Sequence, residues 1–178
     1  MLGAASLLVP ATARAEHPIY AQLAGGLAIF PGKSHLDTGA SFGFAVGWNP
    51  RQELAIEAGY EGAVFTEAER AGREPAAAVE HGGYLAVLGI PFELEIAPYA
   101  LAGVEVSHRR TTGEEPSSSI RPGTFVRLPL GAGADWRLGL FSLGLRGVYE
   151  LSLREGREGG AGRAGDRIDV TLRIGARF

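Results

Sequence analysis

The chain has 178 residues, a formal net charge of −3, 27 glycines and no cysteine. That charge balance argues against a nucleic-acid binder, and the missing cysteines exclude disulfides, thiolate metal sites and cysteine nucleophiles. A mean hydropathy of +0.06 comes without any stretch near the roughly 18 continuous apolar residues of a membrane-spanning helix.

The first feature in chain order is the apolar run from Leu2 to Val9. It is followed by PATARA, with Ala13 and Ala15 in the small-x-small spacing of a signal-peptidase site. Residues 1–15 read as a secretory signal peptide, although no Lys or Arg precedes the apolar run. Glu16 then opens the exported domain, 16–178.

Beyond it, apolar and polar residues alternate in eight segments, about 18–30, 38–48, 52–62, 79–90, 95–107, 123–136, 140–153 and 166–178. Each is predicted to be a strand. The Ala/Glu-rich piece 67–80 is the nearest approach to a helix, but Gly72 and Pro75 interrupt it. Short links fall at 49–52 (NPRQ), at 91–94 (PFEL) and near Leu138 and Gly139. Longer polar links fall at 31–37, 63–78, 108–122 and 154–165. Long and short links alternate along the whole chain. Antiparallel neighbours joined this way put the short turns on one rim and the long loops on the other, the plan of an up-and-down barrel in an outer membrane.

The composition of the two faces separates a membrane barrel from a soluble one. Along 140–153 one face carries Phe141, Leu143, Leu145, Tyr149, Leu151 and Leu153, and the other Ser142, Gly144, Arg146, Glu150 and Ser152. Along 123–136 the apolar face is Val126, Leu128, Leu130, Ala132, Ala134 and Trp136, opposite Arg127, Gly131, Gly133 and Asp135. A lipocalin-like carrier would turn a bulky apolar face inward. Small residues mixed with Arg and Glu instead suit a narrow lumen, and the uniform Leu/Val face suits lipid. The strands are long enough, since a membrane β-strand needs about 9–11 residues. Trp48, Trp136, Phe141 and Phe178 lie beside the short turns or at the last residue, and Tyr60 and Tyr149 lie toward the long-loop rim, as two interfacial girdles would.

The segments GWNPRQELAIEAGY (47–60), PYALAGVEV (98–106), GAGADWRLGLFSLGLRGVYEL (131–151) and DVTLRIGARF (169–178) resemble the small eight-stranded outer-membrane β-barrels of the OmpA and OmpX type. The resemblance spans 16–178. It implies an all-β, eight-stranded antiparallel up-and-down transmembrane barrel in the cell outer membrane, a monomer surrounded by outer-membrane lipid and lipopolysaccharide. It also implies that Phe178 is the aromatic end by which the assembly machinery recognises the last strand.

With these faces, Glu53, Glu57, Glu61 and Glu105 point into the lumen from one side, and Arg127, Arg146, Glu150, Asp169, Arg173 and Arg177 from the other. Unpaired charges in so narrow a space are costly, so cross-lumen ion pairs are expected. A salt-bridged plug accounts for them better than a gated ion path, because side chains can fill an eight-stranded interior. A substrate could hardly reach Glu53, Glu57 and Glu61 for acid–base chemistry. His35, His81 and His108 share the long-loop rim, with Asp37 near, and read as solvated residues rather than metal ligands, while His17 sits at the start of the exported domain. Lipid A acyltransferases and deacylases of this size need a His and a Ser in reach. Here Ser34–His35 and Ser107–His108 are adjacent in sequence, so an extended chain turns them to opposite faces. No catalytic, cofactor or metal residue is assigned. The long loops offer Arg109, Arg110, Arg157 and Arg163 to lipopolysaccharide phosphates or to other surfaces. The expected role is structural or surface-interacting and non-enzymatic, with a small channel and a lipid A-modifying enzyme as the alternatives.

Overall fold

The structure, a computed structural model, describes residues 18–31, 38–66, 77–92, 94–112, 122–153 and 166–178. Residues 1–15, His17, Ser34, His35, Asp37, Arg157 and Arg163 lie outside this set. Eight strands follow one another: β1 (Ile19–Ile29), β2 (Gly39–Arg51), β3 (Leu54–Thr66), β4 (Ala77–Gly89), β5 (Ile96–Thr112), β6 (Gly123–Leu138), β7 (Phe141–Ser152) and β8 (Arg167–Arg177). Each pairs antiparallel with its sequence neighbours, and β8 returns to β1 to close the barrel. The seam runs from Tyr20 opposite Arg177 to Ile29 opposite Ile168. It is extended by two backbone bonds, Phe178 N–H to the Ile19 carbonyl at 2.8 Å and Ile19 N–H to the Phe178 carbonyl at 3.2 Å. Closure matters because hydrocarbon cannot satisfy the free N–H and C=O groups of a sheet edge.

The expected all-β barrel with alternating short and long links is the observed one, with shifted ends. NPRQ is not the first short turn. Pro50 and its neighbours are absorbed into a register irregularity between Trp48 and Arg51, and the turn is Gln52–Glu53. A bulge tolerates a proline because no ladder donor is needed there. The β6–β7 turn is Gly139–Leu140, with Gly139 at a φ of +62°. A positive φ at the first central residue is what a two-residue II′ hairpin requires, and glycine supplies it without a Cβ clash. At the opposite rim β5 runs five residues past its expected end at 107, to Thr112. His108, Arg109 and Arg110 are therefore wall residues rather than loop residues.

The alternation sorts side chains as the faces predicted. Leu23, Leu27, Phe44, Val46, Leu85, Val104, Leu143, Leu145, Leu172 and Ile174 are exposed on the outer wall. Trp48, Trp136, Phe141 and Phe178 form an exposed aromatic group at the short-turn end, where the Trp136 indole N–H donates to Glu95 Oε1 at 2.9 Å. The interior is layered. Ala55, Ala86, Leu88, Ile90, Ala97 and Leu101 pack with Tyr20 and Tyr99 toward the short turns. Ala28, Phe30, Ala63, Phe65 and Ala78 pack together toward the long links. Charged side chains occupy the space between.

This orientation makes a measurable claim about Leu145, 53% exposed on the outer wall. Leu145→Arg should lower the folding free energy in phospholipid vesicles by about 2–4 kcal/mol, the cost of a cation facing the bilayer midplane. Denaturant titration of the barrel in vesicles measures it, and a cost near zero would put this face against water.

Candidate functional site

Among the described residues the lumen gathers the charged groups, and it does so in two storeys. The storey nearer the short turns is built on Glu57 of β3, fully buried. Arg146 of β7 grips it with two bonds, Nη1 to Oε1 at 2.6 Å and Nη2 to Oε2 at 3.1 Å. Arg173 of β8 donates to Oε2 at 3.1 Å. The Tyr20 hydroxyl of β1 donates to Oε2 at 2.8 Å, and that of Tyr84 of β4 to Oε1 at 2.7 Å. Arg146 Nε donates to the Tyr99 hydroxyl of β5 at 3.0 Å, and its guanidinium lies 5.2 Å from the Tyr99 ring centre. One carboxylate thus ties together six strands. Bidentate, charge-assisted bonds of this kind fix geometry as well as charge.

Glycine makes room for it. A Cβ on Gly47 would lie 2.0 Å from the Tyr20 ring, one on Gly59 2.5 Å from the Tyr84 ring, and one on Gly133 2.5 Å from the Tyr99 ring. Each tyrosine ring occupies the space a Cβ would take on a glycine of a neighbouring strand, which helps three rings and two guanidiniums share the interior. The glycines crowding the polar faces of the sequence are partly explained by this packing.

The second storey is built on Glu80 of β4, fully buried. Arg109 Nε donates to its Oε2 at 2.7 Å, Arg167 Nη1 to its Oε1 at 2.7 Å, and Arg127 Nη1 to the same Oε1. Arg167 of β8 reaches further, to Glu150 Oε1 at 2.6 Å, Glu61 Oε1 at 3.1 Å and Asp169 Oδ2 at 2.5 Å. Arg127 Nη1 also donates to Ser107 Oγ at 2.8 Å. Over this storey lie rings. The Arg109 guanidinium sits 5.4 Å from the Phe30 ring centre, 5.3 Å from Phe65 and 4.7 Å from Phe125. Cation–π attraction strengthens where water is excluded.

The sequence expectations divide against this geometry. Glu57, Glu61, Glu105, Arg127, Arg146, Glu150, Asp169 and Arg173 point into the lumen as expected, and the cross-lumen pairs Glu57–Arg146 and Glu61–Arg167 are present. Arg177 lines a small cavity at the short-turn mouth with Asn49, Asp135 and Arg137. Glu53 does not face the lumen. It is exposed in the β2–β3 turn, because β3 begins one residue later, at Leu54. Arg109 is not a loop residue open to lipopolysaccharide. It is 1% exposed, an inward residue of the extended β5. Arg110, its neighbour, is exposed on the outer side. Glu80 and Arg167, the hubs of the second storey, were not singled out from sequence, since each lies next to the expected end of its strand.

His81 and His108 face outward, directly opposite each other on β4 and β5. Their rings are 6.3 Å apart, and the row continues through Tyr60 and Phe44. His108 Nδ1 is 3.2 Å from the Thr124 hydroxyl. Ser107, in contrast, is buried inside against Arg127. The adjacent serine and histidine do point to opposite sides of the wall.

No family model matches the chain, and no curated protein matches it. Solved structures do. The attachment invasion locus protein Ail of Yersinia pestis, in complex with the heparin analogue sucrose octasulfate, superposes with a TM-score of 0.58 at 12% identity, covering 90% of this chain and 97% of that one. The N-terminal β-barrel domain of Pseudomonas aeruginosa OprF gives 0.55 at 11% identity, covering 89% and 97%. Neisserial surface protein A gives 0.53 at 12% identity, covering 90% and 97%. The fold is that of the small eight-stranded outer-membrane barrels.

Removing a hub should expose how much the barrel leans on it. Glu80→Ala takes the shared acceptor from Arg127 and Arg167 and removes the carboxylate that Arg109 binds in a dry space. The loss expected is about 3–5 kcal/mol, the usual cost of breaking a buried pair from one side. Arg110→Ala, one residue along from Arg109 but on the outer side, should cost less than about 0.5 kcal/mol. Denaturant titration in vesicles compares the two.

Proposed function

We propose that this protein is an integral outer-membrane barrel with a non-enzymatic structural or surface-interaction role, exported by a signal at residues 1–15 and displaying its long links outside the cell. The observation that carries this reading is the filled lumen. Two ion-pair storeys lie between apolar layers, Phe30 with Phe65 toward the long links and Leu88 with Ile90 toward the short turns. Such an interior is a scaffold for a wall, and it leaves the loops as the part that can meet a partner. The exposed apolar wall with its aromatic ends supports the membrane setting.

The channel alternative needs a continuous open path, and the bonded side chains of the two storeys, with Phe30 and Phe65 beyond them, lie along it. The cavity at the short-turn mouth has room for about a water or two and ends against Tyr20 and Tyr99. The lipid A-modifying alternative needs a hydroxyl and an imidazole within reach, and the wall keeps Ser107 and His108 on opposite sides. For partners, the reading assigns lipid to the wall and polyanionic surface groups such as lipopolysaccharide phosphates to the loop cations. Arg157 and Arg163 of the loops, with Arg110 near the end of the β5 wall, carry that role, and Arg109 drops out because its charge is spent on Glu80. Ail, which shares the fold, has been solved with a sulfated polyanion, a binding mode that loop cations of this kind suit. The closed ring leaves no strand edge to pair with another copy, which favours a monomer. Phe178, exposed at the end of the seam, is the residue offered to the assembly machinery.

The expected result is a protein recovered with the outer membrane whose unboiled and boiled forms migrate differently on gels. Purified barrel in planar bilayers should give no discrete conductance steps, and overproduction should leave lipid A unchanged. Discrete steps would favour the channel, altered lipid A acylation would favour the enzyme, and a soluble periplasmic protein would overturn the membrane reading.

A further inference from the structure

We infer that His81, His108 and Arg110, on the outer wall near the long-link rim, bind the phosphate of an anionic membrane lipid, given the outer-membrane setting proposed above. Alternation along β4 and β5 turns Glu80, Ser107 and Arg109 inward and these three outward. His81 and His108 stand directly opposite each other, with ring centres 6.3 Å apart. Arg110 is exposed on the same face, two residues beyond His108 and opposite Val79. Two residues of strand span about 6–7 Å, a gap the long arginine side chain covers. One phosphate can therefore meet all three. Both rings are already held. The Thr124 hydroxyl of β6 lies 3.2 Å from His108 Nδ1, which leaves Nε2 for a ligand. His81 rests against Tyr60, with ring centres 5.9 Å apart.

No carboxylate on the wall balances these cations. Among the described residues, the charged or titratable groups on the outward faces of β3, β4, β5 and β6 are Tyr60, His81, His108 and Arg110. The carboxylates of the same strands, such as Glu80 and Glu105, are buried in the lumen. Two imidazolium rings this close repel each other, and an anion beside them removes the cost. A guanidinium adds a planar donor set that suits a phosphate.

Height on the wall selects a lipid as the source. Ile96 lies opposite Trp136 in the aromatic group at the short-turn end, and His108 is twelve residues further along β5. On a strand tilted as in such barrels this is about 28–30 Å along the axis, against an apolar band about 25 Å tall. His108 thus stands at the level of lipid headgroups. Directly below it Val104, Val106 and Leu85 are exposed and apolar, a surface for acyl chains. A phosphate bound above such a surface is one that carries a tail.

The test uses the full barrel folded in an uncharged detergent, each variant first shown to be folded by its heat-modifiable band. Native mass spectrometry counts bound phosphatidylglycerol, whose phosphodiester keeps one negative charge at neutral and mildly acidic pH. Wild type should bind it about tenfold more tightly than phosphatidylcholine, whose choline cancels that charge. Binding should tighten about threefold or more between about pH 8 and about pH 5.5, as the histidines take up protons. Arg110→Ala should weaken binding about tenfold at both pH values. His81→Gln combined with His108→Gln should abolish the pH response, and Arg51→Ala, at the short-turn end of β2, should change neither. Equal binding of the two lipids overturns the site, as does a pH response that survives the loss of both histidines. Displacement of the lipid by millimolar inorganic phosphate would make the ligand a free anion and overturn the lipid. If the paired variant does not fold, each single histidine variant should lose about half of the response, and an unchanged response in both overturns their role. A protein absent from the outer membrane fails the reading above, whereas a folded barrel without lipid selectivity fails this site alone.

Discussion

A charge enclosed by eight strands can be neutralised only from inside the ring, and the rest of this structure follows from that. Glu57 and Glu80 sit where no water shell can form, so each gathers guanidiniums from strands across the lumen. The bonds that neutralise them also hold the wall in shape. Glu57 alone connects β1, β3, β4, β7 and β8 directly, and β5 through Arg146 and Tyr99. The gain in net stability from such pairs is modest, because desolvation offsets most of the attraction. Their value lies in specificity. A slip of one residue in register would turn Glu57, Arg146 and Arg173 outward into lipid, so the network punishes wrong pairings heavily.

Much of this architecture is legible in the sequence because a barrel wall has only two sides. The period-2 pattern from Phe141 to Glu150 assigns every residue to lipid or lumen, and the structure keeps that assignment. The alternation of link lengths supplies the topology, since short turns force neighbours to pair. Strand ends are less legible. Glu53 has the right parity for the lumen, but Pro50 shifts the turn and takes the residue out of the wall. Arg109 stands among the polar residues HRRTTGEEP, which read as loop. Its place inside depends on Glu80, directly opposite it on β4, and on Phe30 and Phe65, which lie far from it in sequence.

The charged site was only half legible for the same reason. Glu61, Glu105 and Glu150 are each visible as inward carboxylates. Their convergence, with one oxygen of each within 4.8 Å of the others, is a matter of height in the barrel, which depends on the stagger of all eight strands. A shift of two residues in one pairing would keep every side chain on its proper face and still scatter the three oxygens. The glycine–tyrosine contacts were hidden likewise, because Gly47, Gly59 and Gly133 carry no label of the ring that needs them.

The seam has a consequence for the order of events. Seven of the eight strand pairings join neighbours along the chain and can form as each hairpin arrives. The eighth, Ile19 with Phe178 and Tyr20 with Arg177, joins residues at opposite ends of the described barrel. Contacts of such separation must wait for the rest of the chain and carry the largest entropy of closure. Glu57 and Glu80, which both draw guanidiniums from β8, cannot be fully neutralised before that last step. Partly assembled barrels therefore hold incompletely compensated charge beside open edges, a combination that disfavours stopping halfway in the bilayer. Completion of the ring and neutralisation of its interior are one cooperative event.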